Sequence, residues 1–437
     1  MSEFDQIIGY ESIKEELKRY CDTMKNPEKY RSLGLKVPRG VLLYGDPGIG
    51  KTLFAESFAK ESGCKTYIIR KQFSDDEFVD YITETFQEAK ENAPAVIILD
   101  DMDKFSNSDF MHQNTSEYVA VQAGIDSCRD SDVFVIGTAN IIDFLPASLT
   151  RSKRFDRIIE LTNPKSEEAL LIISKYLKDV PIEEDVDTEE IATLLSGRTC
   201  ADLEKVVNEA GILAVYAGKT TIGKAELMDA CVQLIAGHPQ ITEPRKGLKA
   251  KLVAYHEAGH AIVSEFWNPG SVGLVSIVGS SSSKAGITSE IQEDENANSM
   301  EDIIAQVSSL LGGKAATKVM LDAEDTGCRN DIRNAYLIMD KVISDCSWYS
   351  FDGVMHGHEP SNFSLDARDR NISAQLEEIY QVTTDIISEN QVLVKEVAAA
   401  LMKNTTITYK DLRRIIKRVG WNSTDAKYKR KKCRKVS

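Results

Sequence analysis

No C-x-x-C pair occurs in this sequence: Cys21, Cys64, Cys128, Cys200, Cys231, Cys328, Cys346 and Cys433 stand singly along 437 residues. That scatter excludes a disulfide framework and a cysteine metal cage, and it fits a reducing compartment. Uncharged apolar runs near the ~20 residues a membrane span needs are also missing. The opening "MSEFDQIIGYESIKEELKRY" is acidic and amphipathic, without the basic and apolar regions of a signal peptide, so a cytoplasmic location is expected. Acidic residues outnumber basic ones, 68 to 53. A net charge of −15 excludes a general nucleic-acid binder, because nothing in the bulk of the chain would neutralise a phosphate backbone. The exception is the tail "KYKRKKCRKVS", with seven Lys or Arg in eleven residues, a solvated end or a peripheral contact with an anionic membrane surface.

What is present is enough for packed domains: 42% of residues are hydrophobic, and the length suggests two to four domains. "GVLLYG" (40–45), "CKTYIIR" (64–70), "AVIILDD" (95–101) and "VFVIGTAN" (133–140) read as buried strands separated by helical patterns, which implies a parallel sheet covered on both faces. From Ser166, expected to cap a helix, the pattern turns purely helical as far as Gly237. The polar stretch 238–251 carries two prolines and reads as a linker. Beyond it the chain is mostly helical, broken by "LVSIVGSSSSKAGITSEI" (274–291), whose two short alternating runs suggest a hairpin. The expected organisation is an α/β unit at 1–163, a helical subdomain at 164–237, the linker, a mainly α-helical domain at 252–420 and the basic tail at 421–437.

"GDPGIGKT" (45–52) follows a strand and precedes a helical pattern, the context in which G-x-x-x-x-G-K-T binds a nucleotide phosphate chain. Gly45, Asp46, Pro47, Gly48, Ile49 and Gly50 let backbone N–H groups converge on ATP. Lys51 reaches the outer phosphates, Thr52 offers its hydroxyl to Mg²⁺, and Leu53 continues into the helix. At the end of "AVIILDD", Asp100 can orient the water shell of that Mg²⁺, and Asp101 sits where a base for the attacking water belongs.

Only six histidines occur, and two of them fall in "LVAYHEAGHAIVSEFW" (252–267). Four-residue spacing puts His256 and His260 on one helical face, where both rings can bind one Zn²⁺, with Glu257 beside the metal as an acid–base residue. Leu248, Leu252, Tyr255, Gly259, Ile262 and Phe266 form an adjoining apolar stripe that would pack the helix. His112, His238, His356 and His358 have no comparable context; "MHGHEP" (355–360) could hold metal only adventitiously.

Together these motifs resemble the FtsH family of ATP-dependent zinc metalloproteases, a P-loop AAA ATPase with a helical lid fused to a zinc peptidase, from about Phe4 to about Ile416. The resemblance implies that Asn140 in "GTANIID" is the polar sensor and that Arg151 and Arg154 in "TRSKRFDR" are arginine fingers acting on a neighbour's nucleotide in a hexameric ring. It implies that "CADLEKVVNEAG" (200–211) is the lid signature, and that Asp331 in "DTGCRNDIRNAYLIM" is the third zinc ligand. Polypeptides would be the substrates, and the hairpin edge would hold them extended by main-chain hydrogen bonds.

Three departures stand out. The family's second acidic residue is Asp101 here, one methylene shorter. Residues 70–86 lack the aromatic-apolar-Gly pore loop, leaving Phe73 and the Phe78–Val79 pair to grip substrate. The sequence opens at the ATPase region, so no counterpart of the family's N-terminal membrane segments is expected. The expected function is ATP-dependent, processive zinc endopeptidase activity on unfolded proteins. The alternatives are a zinc peptidase with a weak motor and a remodelling ATPase with a structural metal.

Overall fold

A computed structural model describes residues 2–34, 38–72, 75–106, 115–150, 154–237, 247–278, 286–291, 299–324, 326–346, 348 and 362–421. Its contacts divide the chain into two units, residues 1–180 with 197–208, and residues 181–196 with 209–437.

In the first unit, helices α1 (Glu11–Lys25) and α2 (Pro27–Arg31) precede strand β1 (Gly40–Tyr44). Then follow α3 (Lys51–Ser62), β2 (Lys65–Ile69), α4 (Asp75–Glu91), β3 (Ala95–Leu99), α5 (Ser116–Ser127), β4 (Val133–Ala139), α6 (Ala147–Thr150), β5 (Arg157–Glu160) and α7 (Ser166–Leu177). The strands form one parallel sheet in the order β2-β3-β4-β1-β5. Alternation along each strand assigns its two faces. Ala95, Ile97 and Leu99 of β3 pack with Phe78, Ile82 and Phe86 of α4 and Val121 of α5, whereas Val96 and Ile98 pack with Phe54 and Phe58 of α3. Both faces are therefore covered, and the central strands are apolar throughout.

Four local expectations are corrected. The run 64–70 forms an edge strand rather than a buried one, since β2 has partners on one side only and Ile68 is half exposed. β5 adds a fifth strand that the sequence pattern does not predict, because "RIIE" offers two apolar residues between charges, too little for a periodic signal. Ser166 is the first residue of α7, and Lys165 occupies the cap position. Phe78 is wholly buried and edge-packed on Phe105, so it belongs to the core and cannot grip a substrate; Phe73 lies outside the described residues.

The second unit holds α8 (Thr188–Leu194), the C-terminal part of α9 (Cys200–Tyr216), α10 (Lys224–Ala236), α11 (Gly247–Trp267), β6 (Val272–Ser276) and β7 (Ile287–Glu290). After these come α12 (Met300–Leu321), α13 (Arg329–Cys346), α14 (Asn362–Glu389), α15 (Gln391–Asn404), β8 (Thr406–Thr408) and α16 (Tyr409–Val419). It is mostly helical. Helix α11 starts at Gly247, inside the stretch expected to be a linker, and stops before Asn268-Pro269, where proline disfavours a further turn. Ser299 and Asp302 cap α12 reciprocally, each side chain accepting from the other's backbone N–H.

α11 and α12 cross at glycines. A Cβ on Gly259 would strike the Gly312 carbonyl oxygen, and one on Gly312 would stand 2.7 Å from the Gly259 carbonyl oxygen. Burial on α11 is not confined to a stripe. Tyr255, Ile262 and Phe266 are buried as expected, but so are Ala254, Val263 and Trp267 on other faces, while Leu248 is 70% exposed and Leu252 only half-buried. β6, β7 and β8 form a small antiparallel sheet in the order β7-β6-β8, leaving β7 at an edge. The expected hairpin is present; its serine turn lies outside the described residues. Among the described residues no helix is long and apolar enough to cross a membrane.

Candidate functional site

Consecutive turns of α11 bring His256 and His260 together, with Nε2 atoms 3.0 Å apart. From the first turn of α13, Asp331 Oδ2 lies 3.3 Å from His256 Nε2 and 3.7 Å from His260 Nε2. His260 Nδ1 is 2.7 Å from the Ser309 carbonyl oxygen, which can only accept, so Nδ1 carries the proton and Nε2 presents its lone pair. That lone pair faces a second imidazole nitrogen and a carboxylate, a convergence that calls for a cation at its centre. A tetrahedral zinc with ~2.05 Å bonds would hold its nitrogen ligands about 3.3 Å apart, so the observed separations of 3.0, 3.3 and 3.7 Å fit the ion. Among the described residues this is the only group of three His, Cys, Asp or Glu placed to hold a metal.

The electrostatics agree. Burial alone would raise the Asp331 carboxyl, but the two imidazoles hold it well below the usual carboxylate range. Burial works against charge on His260, yet Asp331 and Glu257 push it up to about 9, so without an ion Nε2 holds a proton that a bound metal must displace. Glu257 is buried, and that burial raises its carboxyl. Its Oε2 accepts from Thr288 Oγ1 of β7 at 3.0 Å, and a Cβ on Gly286 would come within 2.6 Å of Oε1. Thr288 thus fixes one carboxylate oxygen, and the other is accommodated only because Gly286 has no side chain. Glu257 is not in the metal-binding group.

Three supporting groups carry no motif in the sequence: Thr288, which holds Glu257, and the Ser309 carbonyl and Gly313, which adjoin the histidine ligands. A Cβ on Gly313 would stand 2.5 Å from His256 Cε1 and 2.6 Å from both Nε2 atoms. The signal was available, since two adjacent glycines inside a helical pattern weaken the helix unless something must approach it closely. Gly313→Ala should therefore displace the imidazoles and weaken zinc binding by about ten- to a hundredfold, measured by competition with a chromogenic chelator. Gly211→Ala, whose Cβ would meet only Ile222 at 3.6 Å, should leave zinc binding intact.

In the first unit, Gly45 to Gly50 form the loop between β1 and α3, and Gly45, Gly48 and Gly50 have φ of 142°, 85° and 106°, which side chains disfavour. Open space adjoins Gly50, Ile49 is anchored in the core, and Leu53 projects outward. Asp46 accepts from Asn163, and Pro47 lies in the same loop. The N–H of Ala201 donates to the Gly48 carbonyl, so the start of α9 rests on this loop.

Lys51 Nζ donates to the carbonyls of Gly45 and Asp46 at 2.7 and 2.8 Å, and its burial lowers its pKa. Thr52 donates to Asp100 Oδ1 at 2.9 Å. Thr138 donates to the same oxygen at 2.8 Å, and Arg70 to Oδ2, so the Asp100 carboxyl stays below its usual range although burial opposes this. Asp101 has a left-handed backbone and accepts from Lys104 at 2.7 Å. Asn140 donates from N and Nδ2 to Asp103. Arg154 is engaged within its own chain, with the Ser148 carbonyl at 2.6 Å and Asp126 at 2.8 Å. Arg151, His112, His238, His356, His358 and the basic tail lie outside the described residues.

Residues 41–163 match the family described as ATPase family associated with various cellular activities (AAA), and residues 245–415 match peptidase family M41. The chain is similar to the ATP-dependent zinc metalloprotease FtsH of Halothermothrix orenii, 30% identical over 91% of this chain and 68% of that protein. It is 30% identical to the ATP-dependent zinc metalloprotease FtsH 2 of a Thermoanaerobacter species, covering 94% of this chain and 82% of the relative. With the FtsH of Leptotrichia buccalis it shares 31% identity, over 94% and 57% of the two chains.

Proposed function

From the premise that this chain belongs to the FtsH family of ATP-dependent zinc metalloproteases, we propose how its residues divide the work of ATP-dependent proteolysis. His256, His260 and Asp331 hold the zinc and Glu257 handles the proton. A zinc ion bound there supplies Lewis acidity, activating water and polarising the scissile carbonyl. Glu257 Oε1, the oxygen not occupied by Thr288, accepts the water's proton and returns it to the leaving amine. Burial favours this role, because a raised carboxyl releases a captured proton less readily to solvent than an exposed one would. The observation that carries the reading is the meeting of three ligand atoms from α11 and α13 with Glu257 one residue from the first ligand.

β7 supports the substrate side. It pairs with β6 on one flank, is the edge of its sheet, and carries Thr288 against Glu257. An extended polypeptide added to that edge would pass beside the carboxylate, held by main-chain bonds that do not depend on its sequence.

In the AAA part, Gly45, Asp46, Pro47, Gly48, Ile49, Gly50, Lys51, Thr52 and Leu53 form the phosphate cradle, with Asp100, Asp101 and Asn140 around it. The chain assembles as an oligomeric ring and acts on protein substrates. A ring of six, with Arg151 reaching a neighbour's nucleotide and Arg154 doing so on leaving Asp126 and the Ser148 carbonyl, is part of our reading. So are a cytoplasmic location and a peripheral contact of the basic tail with anionic membranes.

An unfolded reporter such as casein should be degraded at least about tenfold faster with ATP than with a non-hydrolysable analogue or without nucleotide, while short peptides are cleaved in all three conditions. Equal degradation of casein in all three would sink the motor's role.

A further inference from the structure

Two of the three carboxylates at the nucleotide site, Asp100 and Asp101, are already neutralised by this chain's own cations. Asp100 is buried, and both its oxygens are taken: Oδ1 by the hydroxyls of Thr52 and Thr138, Oδ2 by Nε of Arg70 at 2.9 Å and by its Nη2. Asp101 is held by Lys104, and Asp103 by Asn140. The two members of the Arg70–Asp100 pair differ in freedom. The Asp100 side chain is 2% exposed, whereas that of Arg70 is 50% exposed. Arg70 can leave for water at little cost. Asp100 cannot be left alone, because a buried carboxylate without a counter-charge is strongly destabilising.

We propose that Arg70 is a resident counter-cation of the nucleotide site: it neutralises Asp100 when nucleotide is bound without metal, and Mg²⁺ must displace it to use that carboxylate. This rests on the nucleotide-binding reading above and adds a specificity-determining residue to it. Two consequences follow from charge alone. With Arg70 in place, metal-free ATP meets a neutral Asp100 rather than a bare negative charge, so it is retained. Mg²⁺ adds little affinity, because its gain at Asp100 is offset by the lost guanidinium bonds. Without Arg70, metal-free ATP is repelled and Mg²⁺ becomes strongly favourable.

The test is equilibrium binding of N-methylanthraniloyl-ATP to the full chain, read by fluorescence in excess Mg²⁺ and in EDTA. The measured quantity is the ratio of the two dissociation constants. Wild type should show a small ratio, and Arg70→Ala a ratio about ten- to a hundredfold larger, the range expected for losing hydrogen bonds between charged groups. Arg70→Lys keeps the charge without the planar fork and should remain nearer to wild type. Circular dichroism of both variants checks the fold. Nucleotide binding with an unchanged ratio in Arg70→Ala overturns the proposal, as does a lysine variant that behaves like alanine. Absence of nucleotide binding by wild type at any Mg²⁺ concentration would overturn the nucleotide reading itself, and this proposal with it.

Discussion

Glu257→Gln is expected to slow peptide-bond cleavage by about 10²- to 10⁴-fold, a barrier increase of about 3–5 kcal/mol, while the chain still binds one zinc ion. The separation of the two effects follows from the geometry. Glu257 is outside the three-ligand group, so its loss leaves His256, His260 and Asp331 in place. The amide is nearly isosteric, and its oxygen can still accept from Thr288 Oγ1, so the contact between α11 and β7 survives. What disappears is a basic oxygen that fits only because residue 286 is a glycine. Cleavage of a fluorogenic peptide together with metal analysis checks this. A variant that keeps wild-type turnover would remove Glu257 from the chemistry, and one that loses its zinc would make it a structural residue.

His260→Ala and Asp331→Ala should each abolish stoichiometric zinc and, with it, proteolysis. Each deletes one of three ligands, and the deletions are not equivalent in their wider effects. Removing the His260 ring also frees the Ser309 carbonyl, the partner of its Nδ1, leaving an acceptor in the α11–α12 contact without its donor. Removing Asp331 takes away the only carboxylate of the group, leaving two imidazoles 3.0 Å apart with Glu257 as the carboxylate beside them. Zinc at about 1,000 times its dissociation constant stabilises a folded protein by about 4 kcal/mol, provided the unfolded chain does not bind it. Wild type should therefore melt at a higher temperature with zinc than with a chelator, and neither variant should show that difference. Peptidase activity retained by either variant would mean that the metal is held elsewhere.

Both sites were legible in the sequence wherever function is packed into contiguous residues. The loop 45–52 could be read because a turn with φ above zero at three positions requires glycine there, and because the lysine and threonine follow at fixed helical distance. His256 and His260 could be read because a four-residue step on a helix is a spatial statement as well as a spacing. Asp331 was different. Its assignment came from resemblance alone, since nothing local marks an aspartate in the first turn of a helix as more than a favourable terminal charge. The structure brings its carboxylate to both imidazoles.

Where the sequence misled, burial was the reason. Phe78 looked available because it stands in a polar stretch, yet α4 turns it onto Phe105. Leu248 belongs to the apolar period of α11 but precedes the point where that helix is covered. Arg70 and Lys104 carried no signal at all, because a basic residue at a strand end or beyond a turn is ordinary until a buried carboxylate is found opposite it.

The sequence by itself determined the two chemistries, since each depends on a phosphate loop or a ligand pair written within a few consecutive residues. Tertiary structure alone decided how those groups are completed and restrained. Asp331, Thr288, and the Ser309 carbonyl with Gly313 reach the metal centre from three other segments, α13, β7 and α12, and Arg70 reaches Asp100 from the neighbouring strand end. Such partners are chosen by close packing and by the need of buried charge for a counter-charge, and neither requirement leaves a fixed spacing in the chain.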